Sequence, residues 1–316
     1  MSTPNPLPPQ PRIAIIGAGA VGGYYGGRLA QHGQDTRFLL RSDWETIQHH
    51  GLHLFSPQGD AHIHPIQAFR TPEEIGPCDL VIIALKATSN SALTRLIPPL
   101  LHADTTLLSL QNGLGSDAQL ADLFGAHRIL GGLCYVCINR TAPGQIHHLA
   151  EGRIALGDYL RPPQPRTHQI AALFQASGID CHVVPDLATT RWNKLVWNIP
   201  FNGWSIAAGG LDTTALLADP HLRSEIREQM LEVIHTARHL GHDLPESLAE
   251  SMIARTERMP PYRPSSLIDF EAGRDVELDA IWAAPLRLAA QHGLSMPRLT
   301  ELHRRLSTQL TQRLPI

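Results

Sequence analysis

No run of roughly 18 or more apolar residues occurs in the 316-residue chain, so no segment has the length of a bilayer-spanning helix. The first eleven residues lack the cationic start and apolar run of a signal peptide, and are expected to form a flexible tail. Charge of one sign is also missing. Lys and Arg number 26 against 29 Asp and Glu, a net charge of −3 that gives nucleic acid or an anionic membrane no reason to bind. Cysteine is scarce, and Cys78, Cys134, Cys137 and Cys181 sit in apolar, strand-like runs. That usage suits a reducing cytoplasm, where the protein is expected to be soluble. Cys134-Tyr-Val-Cys137 has the CxxC spacing, but no second cysteine pair or ordered histidine pair accompanies it. Both are read as strand thiols. Of the 18 histidines, His49-His50 and His147-His148 project to opposite sides if extended, and no HExxH occurs, so no metal is expected.

What the chain has is alternation. Arg12–Ile16 reads as a strand, Val21–His32 as a helix and Thr36–Leu40 as a second strand. Leu80–Leu85, Thr105–Leu110 and Ile129–Ile138 are apolar runs suited to strands buried on both faces. Shorter strand signals occur at Gln145–Leu149 and Arg153–Leu156. This pattern predicts an α/β domain with a doubly wound, Rossmann-type parallel sheet over residues 12–187. Beyond Pro185 the signals turn helical, at Ala188–Phe201, Pro220–Leu240, Glu246–Arg258 and Glu277–His292, so residues 188–316 are expected to form an all-helical domain. Pro260-Pro261-Tyr-Arg-Pro264 must be a loop between them.

Gly17-Ala18-Gly19-Ala20-Val21-Gly22 comes directly after the first strand and opens a helix, the context in which GxGxxG cradles a dinucleotide pyrophosphate. Gly17 permits the tight turn, Gly19 lets the backbone approach the ligand, and Gly22 allows close helix–strand packing. The second strand ends in Leu40-Arg41, with no acid at its tip to accept from a ribose 2′-hydroxyl. A guanidinium there suits the 2′-phosphate of NADPH; Asp43 is the one nearby residue that complicates this. Lys86 and Asn112-Gly113 end two further strands on the same edge. Each is either a loop residue or part of the nucleotide site.

In the helical half, Lys194, Asn198 and Asn202 are spaced i, i+4, i+8 and share one stripe of an otherwise apolar helix, which Pro200 is expected to kink. Such a stripe is either a hydrogen-bonding seam or the floor of a site.

In order and spacing, these pieces resemble the ketopantoate reductase (2-dehydropantoate 2-reductase) family from Arg12 to about Arg304. The matching stretches are Gly17 to Gly22, Leu40-Arg41, Leu85-Lys86, Gln111-Asn112-Gly113, Trp192-Asn-Lys194-Leu-Val-Trp-Asn198 with Asn202, Ser265 within Pro264-Ser-Ser-Leu-Ile-Asp269, and Gly273-Arg-Asp-Val-Glu277. The resemblance implies reduction of a 2-oxo acid by NADPH, ketopantoate to pantoate on the route to pantothenate and coenzyme A. It makes Lys194 the catalytic lysine and Glu277 its paired acid. Asn198, Asn202 and Ser265 become substrate contacts, Asn112 lies near nicotinamide and substrate, and Arg41 and Lys86 serve the phosphate and ribose of NADPH. With cofactor and lysine on different domains, hinge closure is expected to assemble the site. The helical domain's apolar faces permit a homodimer. Alternatives are a related NADP-dependent hydroxy acid dehydrogenase and a non-catalytic NADPH sensor, which would need no proton donor. Where the family has Tyr-x-Asn-Gly this chain has Ala280-Ile-Trp282-Ala283, and Trp204 to Gly210 is mostly apolar. These departures bear on substrate choice: Trp282 either packs the helical core or lines a pocket for a more apolar 2-oxo acid.

Overall fold

The structure, a computed structural model, describes residues 5–313. Two compact units divide the chain, one running to Gln111 and joined by Ser116–Leu187, the other made of Asn112–Gly115 with the residues from Ala188 on.

The first unit holds a ten-stranded sheet: β1 (Ile13–Ile16), β2 (Thr36–Leu39), β3 (Leu52–Phe55), β4 (Ala61–Ile63), β5 (Gln67–Phe69), β6 (Leu80–Ile83), β7 (Thr106–Ser109), β8 (Ile129–Ala142), β9 (Gln145–Asp158) and β10 (Cys181–Val183). Its order is β4-β3-β9-β8-β7-β6-β1-β2-β5, with β10 also on β9. From β5 to β8 every pairing is parallel. Beyond β8 the sheet becomes mixed, because the two-residue link Pro143-Gly144 (Gly144 φ 69°) folds β9 back antiparallel on β8. Strands β1, β6 and β7 are buried along their whole length. Their side chains alternate between two cores: Ile13, Ile15, Leu80, Ile82 and Leu108 on one face, Ala14, Ile16, Val81, Ile83 and Leu107 on the other. That double burial is why these segments read as unbroken apolar runs. The strands β3, β4 and β5, at three or four residues each, have no counterpart among the sequence signals.

The two short strand signals after residue 145 are one strand interrupted by a bulge. Tyr135 pairs with Arg153 and Val136 with Glu151, leaving Gly152 unopposed, and Glu151 (φ 65°) and Gly152 (φ 125°) both take positive φ. His148, 3% exposed, holds the bulge. Its Nε2 donates to the carbonyls of Ala150 (3.1 Å) and Glu151 (3.0 Å), and its Nδ1 accepts from Ser56 Oγ (2.8 Å). This is the neutral ring, and burial lowers its pKa below the ordinary histidine value. Stability from a lowered pKa is complete above the unfolded value and lost as pH falls through the folded one. Unfolding free energy should therefore decline between about pH 7 and pH 5, with part of that slope absent in His148→Gln. Chemical denaturation of both proteins across that range checks it; identical slopes would contradict it.

The expected tail is tied down over part of its length. Asn5 bonds Asp104, the Leu7 amide donates to Gln169 Oε1 at 2.9 Å, and Pro11 is buried; residues 1–4 lie outside the described residues. The Leu7 side chain packs against the sheet's core and adds an apolar anchor to these bonds.

The second unit is helical, with Leu187–Ala207, Thr213–Ala218, Pro220–His239, Ser247–Glu257, Ser265–Glu271, Ala284–Gln291 and Pro297–Gln312. Pro220 sits in the first turn of its helix behind Asp219, whose carboxylate accepts from the His221 and Leu222 amides. The helix Leu187–Ala207 runs on through Pro200. Before Ala284 the chain makes a π-helical turn, Asp279–Ala283. No helix among the described residues is long and apolar enough to cross a membrane.

Candidate active site

The glycine turn leaves the end of β1, which lies between β6 and β2, so Lys86 and Arg41 leave the sheet on either side of it. Gly17 has φ 97°, and a Cβ there would lie 2.6 Å from the Leu85 amide nitrogen. At Gly22 a Cβ would lie 2.1 Å from the Gly17 carbonyl oxygen. Both glycines are thus demanded by the protein's own backbone. Gly19 is different. Its backbone is extended (φ −73°) and a Cβ would meet nothing within 4 Å. It is also the N-cap of the helix Ala20–Gln31, whose first turn carries no acidic residue. Open space, free helix N–H groups and no competing carboxylate fit a dinucleotide diphosphate. Gly19→Ala should accordingly fold as the parent does yet lose about tenfold or more in dinucleotide affinity. Fluorescence titration beside a thermal melt tests this, and unchanged affinity would remove Gly19 from the site.

Lys86 is half-buried and leads from β6 into the 3₁₀ turn Ala87–Ala92. A buried amide network holds this edge: Gln111 Nε2 donates to the Leu85 carbonyl (2.8 Å) and to Asn90 Oδ1 (2.7 Å), and Asn90 Nδ2 donates to Gln119 Oε1 (2.9 Å). Arg41 is exposed just past β2. Asp43, the acid that complicates a phosphate-binding role for Arg41, is buried and carries the Arg140 guanidinium from β8 at 2.5–2.9 Å. Neither Arg140 nor Asn90 stands out in the sequence, since each lies in a short polar stretch with no spacing signal of its own.

In the helical unit Lys194 Nζ donates to Asn112 Oδ1 at 3.0 Å. The amide oxygen fixes the position of the amine. Asn112 is itself held by its neighbours Gly113 and Leu114. Gly113 has φ 79°, and a Cβ there would lie 2.3 Å from the Ala280 carbonyl oxygen, which accepts from the Leu114 amide at 2.9 Å. Arg191 Nη1 reaches the Gly113 carbonyl at 3.5 Å. The π-helical turn therefore supports the loop that positions the lysine; such turns recur at functional sites. Glu277 is half-buried just before that turn, and its carbonyl accepts from the Ile281 amide.

The rest of the stripe divides in two. Asn198 is 9% exposed, and among the described residues its side chain has no hydrogen-bond partner. Asn202, 2% exposed, accepts the Ser266 amide at 3.0 Å and so fixes the start of the helix that Ser265 opens. Trp282 belongs to the core: it is fully buried, packs among the apolar residues of the helical unit, and donates its Nε1 to the Ile199 carbonyl at 3.0 Å. Cys134 is buried and Cys137 half-buried, both within β8, and among the described residues no group of three or more His, Cys, Asp or Glu could hold a metal.

Residues 13–161 match the family described as Ketopantoate reductase PanE/ApbA, and residues 186–309 match its C-terminal counterpart. The 2-dehydropantoate 2-reductase of Nostoc sp. is 39% identical over 300 residues, 93% of this chain and 94% of that protein. The crystal structure of 2-dehydropantoate 2-reductase from Geobacter metallireducens superposes with a TM-score of 0.91 at 44% identity, covering 95% of this chain and 99% of that one. D-mandelate dehydrogenase with NADH and anilino(oxo)acetate shares the fold, at a TM-score of 0.86 and 20% identity over 95% and 98% of the two chains. The chain belongs to the ketopantoate reductase family, oxidoreductases that act on CH–OH groups.

Proposed function

We propose that the chain reduces ketopantoate to pantoate with NADPH, in the supply of pantothenate and coenzyme A, with Lys194 as the proton donor. The observation that carries this is the Lys194–Asn112 bond, which brings the lysine of the helix Leu187–Ala207 together with the asparagine expected beside nicotinamide and substrate. When bound, the dihydronicotinamide supplies a hydride. The chain's own residues do the remainder. The Lys194 ammonium polarises the ketone oxygen, stabilises the negative charge that develops there, and gives it a proton. Glu277 is its acidic counterpart. Asn198, whose side chain makes no hydrogen bond among the described residues, is suited to a polar group of the substrate, and so is Ser265, held by way of Asn202. Gly17 to Gly22 hold the diphosphate, and Arg41 and Lys86 the phosphate and ribose.

With Trp282 in the core, its bulk gives no reason to exchange ketopantoate for a more apolar acid. NADPH consumption against a panel of 2-oxo acids tests the reading. Ketopantoate should be the best substrate. A faster turnover of another 2-oxo acid would overturn the substrate assignment, and dinucleotide binding without turnover of any would turn the protein into a sensor.

A further inference from the structure

We propose that the Asp43–Arg140 ion pair determines the dinucleotide preference of this chain, by neutralising the carboxylate that would otherwise oppose a 2′-phosphate. The inference rests on the proposed role of Arg41 as the residue that meets that phosphate.

In a dinucleotide fold, an acid past the second strand accepts from the ribose 2′-hydroxyl and repels a 2′-phosphate. Asp43 lies two residues beyond Arg41, so the two Cα atoms are at most about 7 Å apart. Left to itself it would favour NADH. Its carboxylate is instead engaged on three sides. Arg140 Nε approaches Oδ2 at 2.9 Å, Arg140 Nη2 approaches Oδ1 at 2.6 Å, and Ser42 Oγ donates to Oδ1 at 2.9 Å. A two-nitrogen guanidinium grip cancels the charge and fixes the direction of the oxygens. The next acid, Glu45, is engaged by Arg70, which lies over the Trp44 ring. Both carboxylates after Arg41 thus carry a cation of their own, and Arg41 need not be drawn to either. Arg140 comes from 97 positions away in sequence. The pair's side chains remain 11% (Asp43) and 37% (Arg140) exposed, so its influence is that of a partly screened charge, a matter of several-fold in affinity.

The test is the dissociation constant of NADPH and of NADH, by fluorescence titration, for the intact protein and for Arg41→Ala, Arg140→Gln, Asp43→Asn and the double variant. Arg140→Gln should weaken NADPH by about 3–10-fold while leaving NADH unchanged or tighter. Asp43→Asn should not weaken NADPH, and adding it to Arg140→Gln should restore the original ratio. An equal loss for both dinucleotides in Arg140→Gln, or a double variant no better than it, would overturn the proposal. So would a weaker NADPH in Asp43→Asn, which also serves if Arg140→Gln fails to fold. An intact protein with no NADPH preference defeats this inference and the role of Arg41 together. A preference that Arg41→Ala abolishes and Arg140→Gln ignores defeats the ion pair alone.

Discussion

Lys194→Ala is expected to lower kcat by about 10²–10⁴-fold while NADPH still binds as it does to the parent protein. The alkoxide left by hydride delivery needs a positive charge and a proton, and the ammonium held by Asn112 offers both. Asn112→Ala should therefore be milder than Lys194→Ala, since it frees the lysine without removing it. Stopped-flow turnover beside dinucleotide titration separates the step from binding. A folded Lys194→Ala protein with near-parental kcat would end the assignment.

The largest expected effect on stability is at Asp158, where β9 ends. Its side chain is fully buried and accepts from Arg161, Arg166, the Thr167 hydroxyl and the Gln164 amide. Arg166, 2% exposed, also donates to the His127 carbonyl and Thr106 Oγ1, and burial brings its pKa down to about 10. Such a guanidinium remains tolerable only while its carboxylate is present. Asp158→Ala should cost about 3–5 kcal/mol, because it strands a buried cation. Replacing Asp158 and Arg166 together with apolar residues should cost far less than that. Urea denaturation of the single and double variants measures the difference, and a single-variant loss below about 1 kcal/mol would contradict the buried pair.

The contrast between these sites explains what the sequence could disclose. The Gly17 to Gly22 turn was legible because everything it needs is local: an apolar strand before it, a helix after it, and glycines where backbone approaches backbone. The helix start at Asp219-Pro220 was legible for the same reason. The stripe of Lys194, Asn198 and Asn202 could be found by its period, but its meaning could not. Lys194 finds its partner 82 residues away, and Asn202 turns out to hold the backbone at Ser266, 64 residues on. Arg140 on β8 and Asp43, at the start of the helix after β2, meet from 97 residues apart with no shared periodicity. The β9 bulge read as a gap between two strands, because Glu151 and Gly152 break the alternation that marks a strand. The π-helical turn at Asp279–Ala283 has no Pro or Gly to announce it, and shows only when Ala280 is seen pressed against Gly113.

The central claim, hydride reduction of a 2-oxo acid with this chain as catalyst, is tested most directly by isotope transfer. The intact protein is incubated with ketopantoate and NADPH deuterated at the transferring position of the nicotinamide, and the product is analysed by mass spectrometry. The expected product is pantoate carrying one deuterium on the carbon that bore the ketone, formed one for one with NADPH consumed. No pantoate, or pantoate without the label, would contradict it.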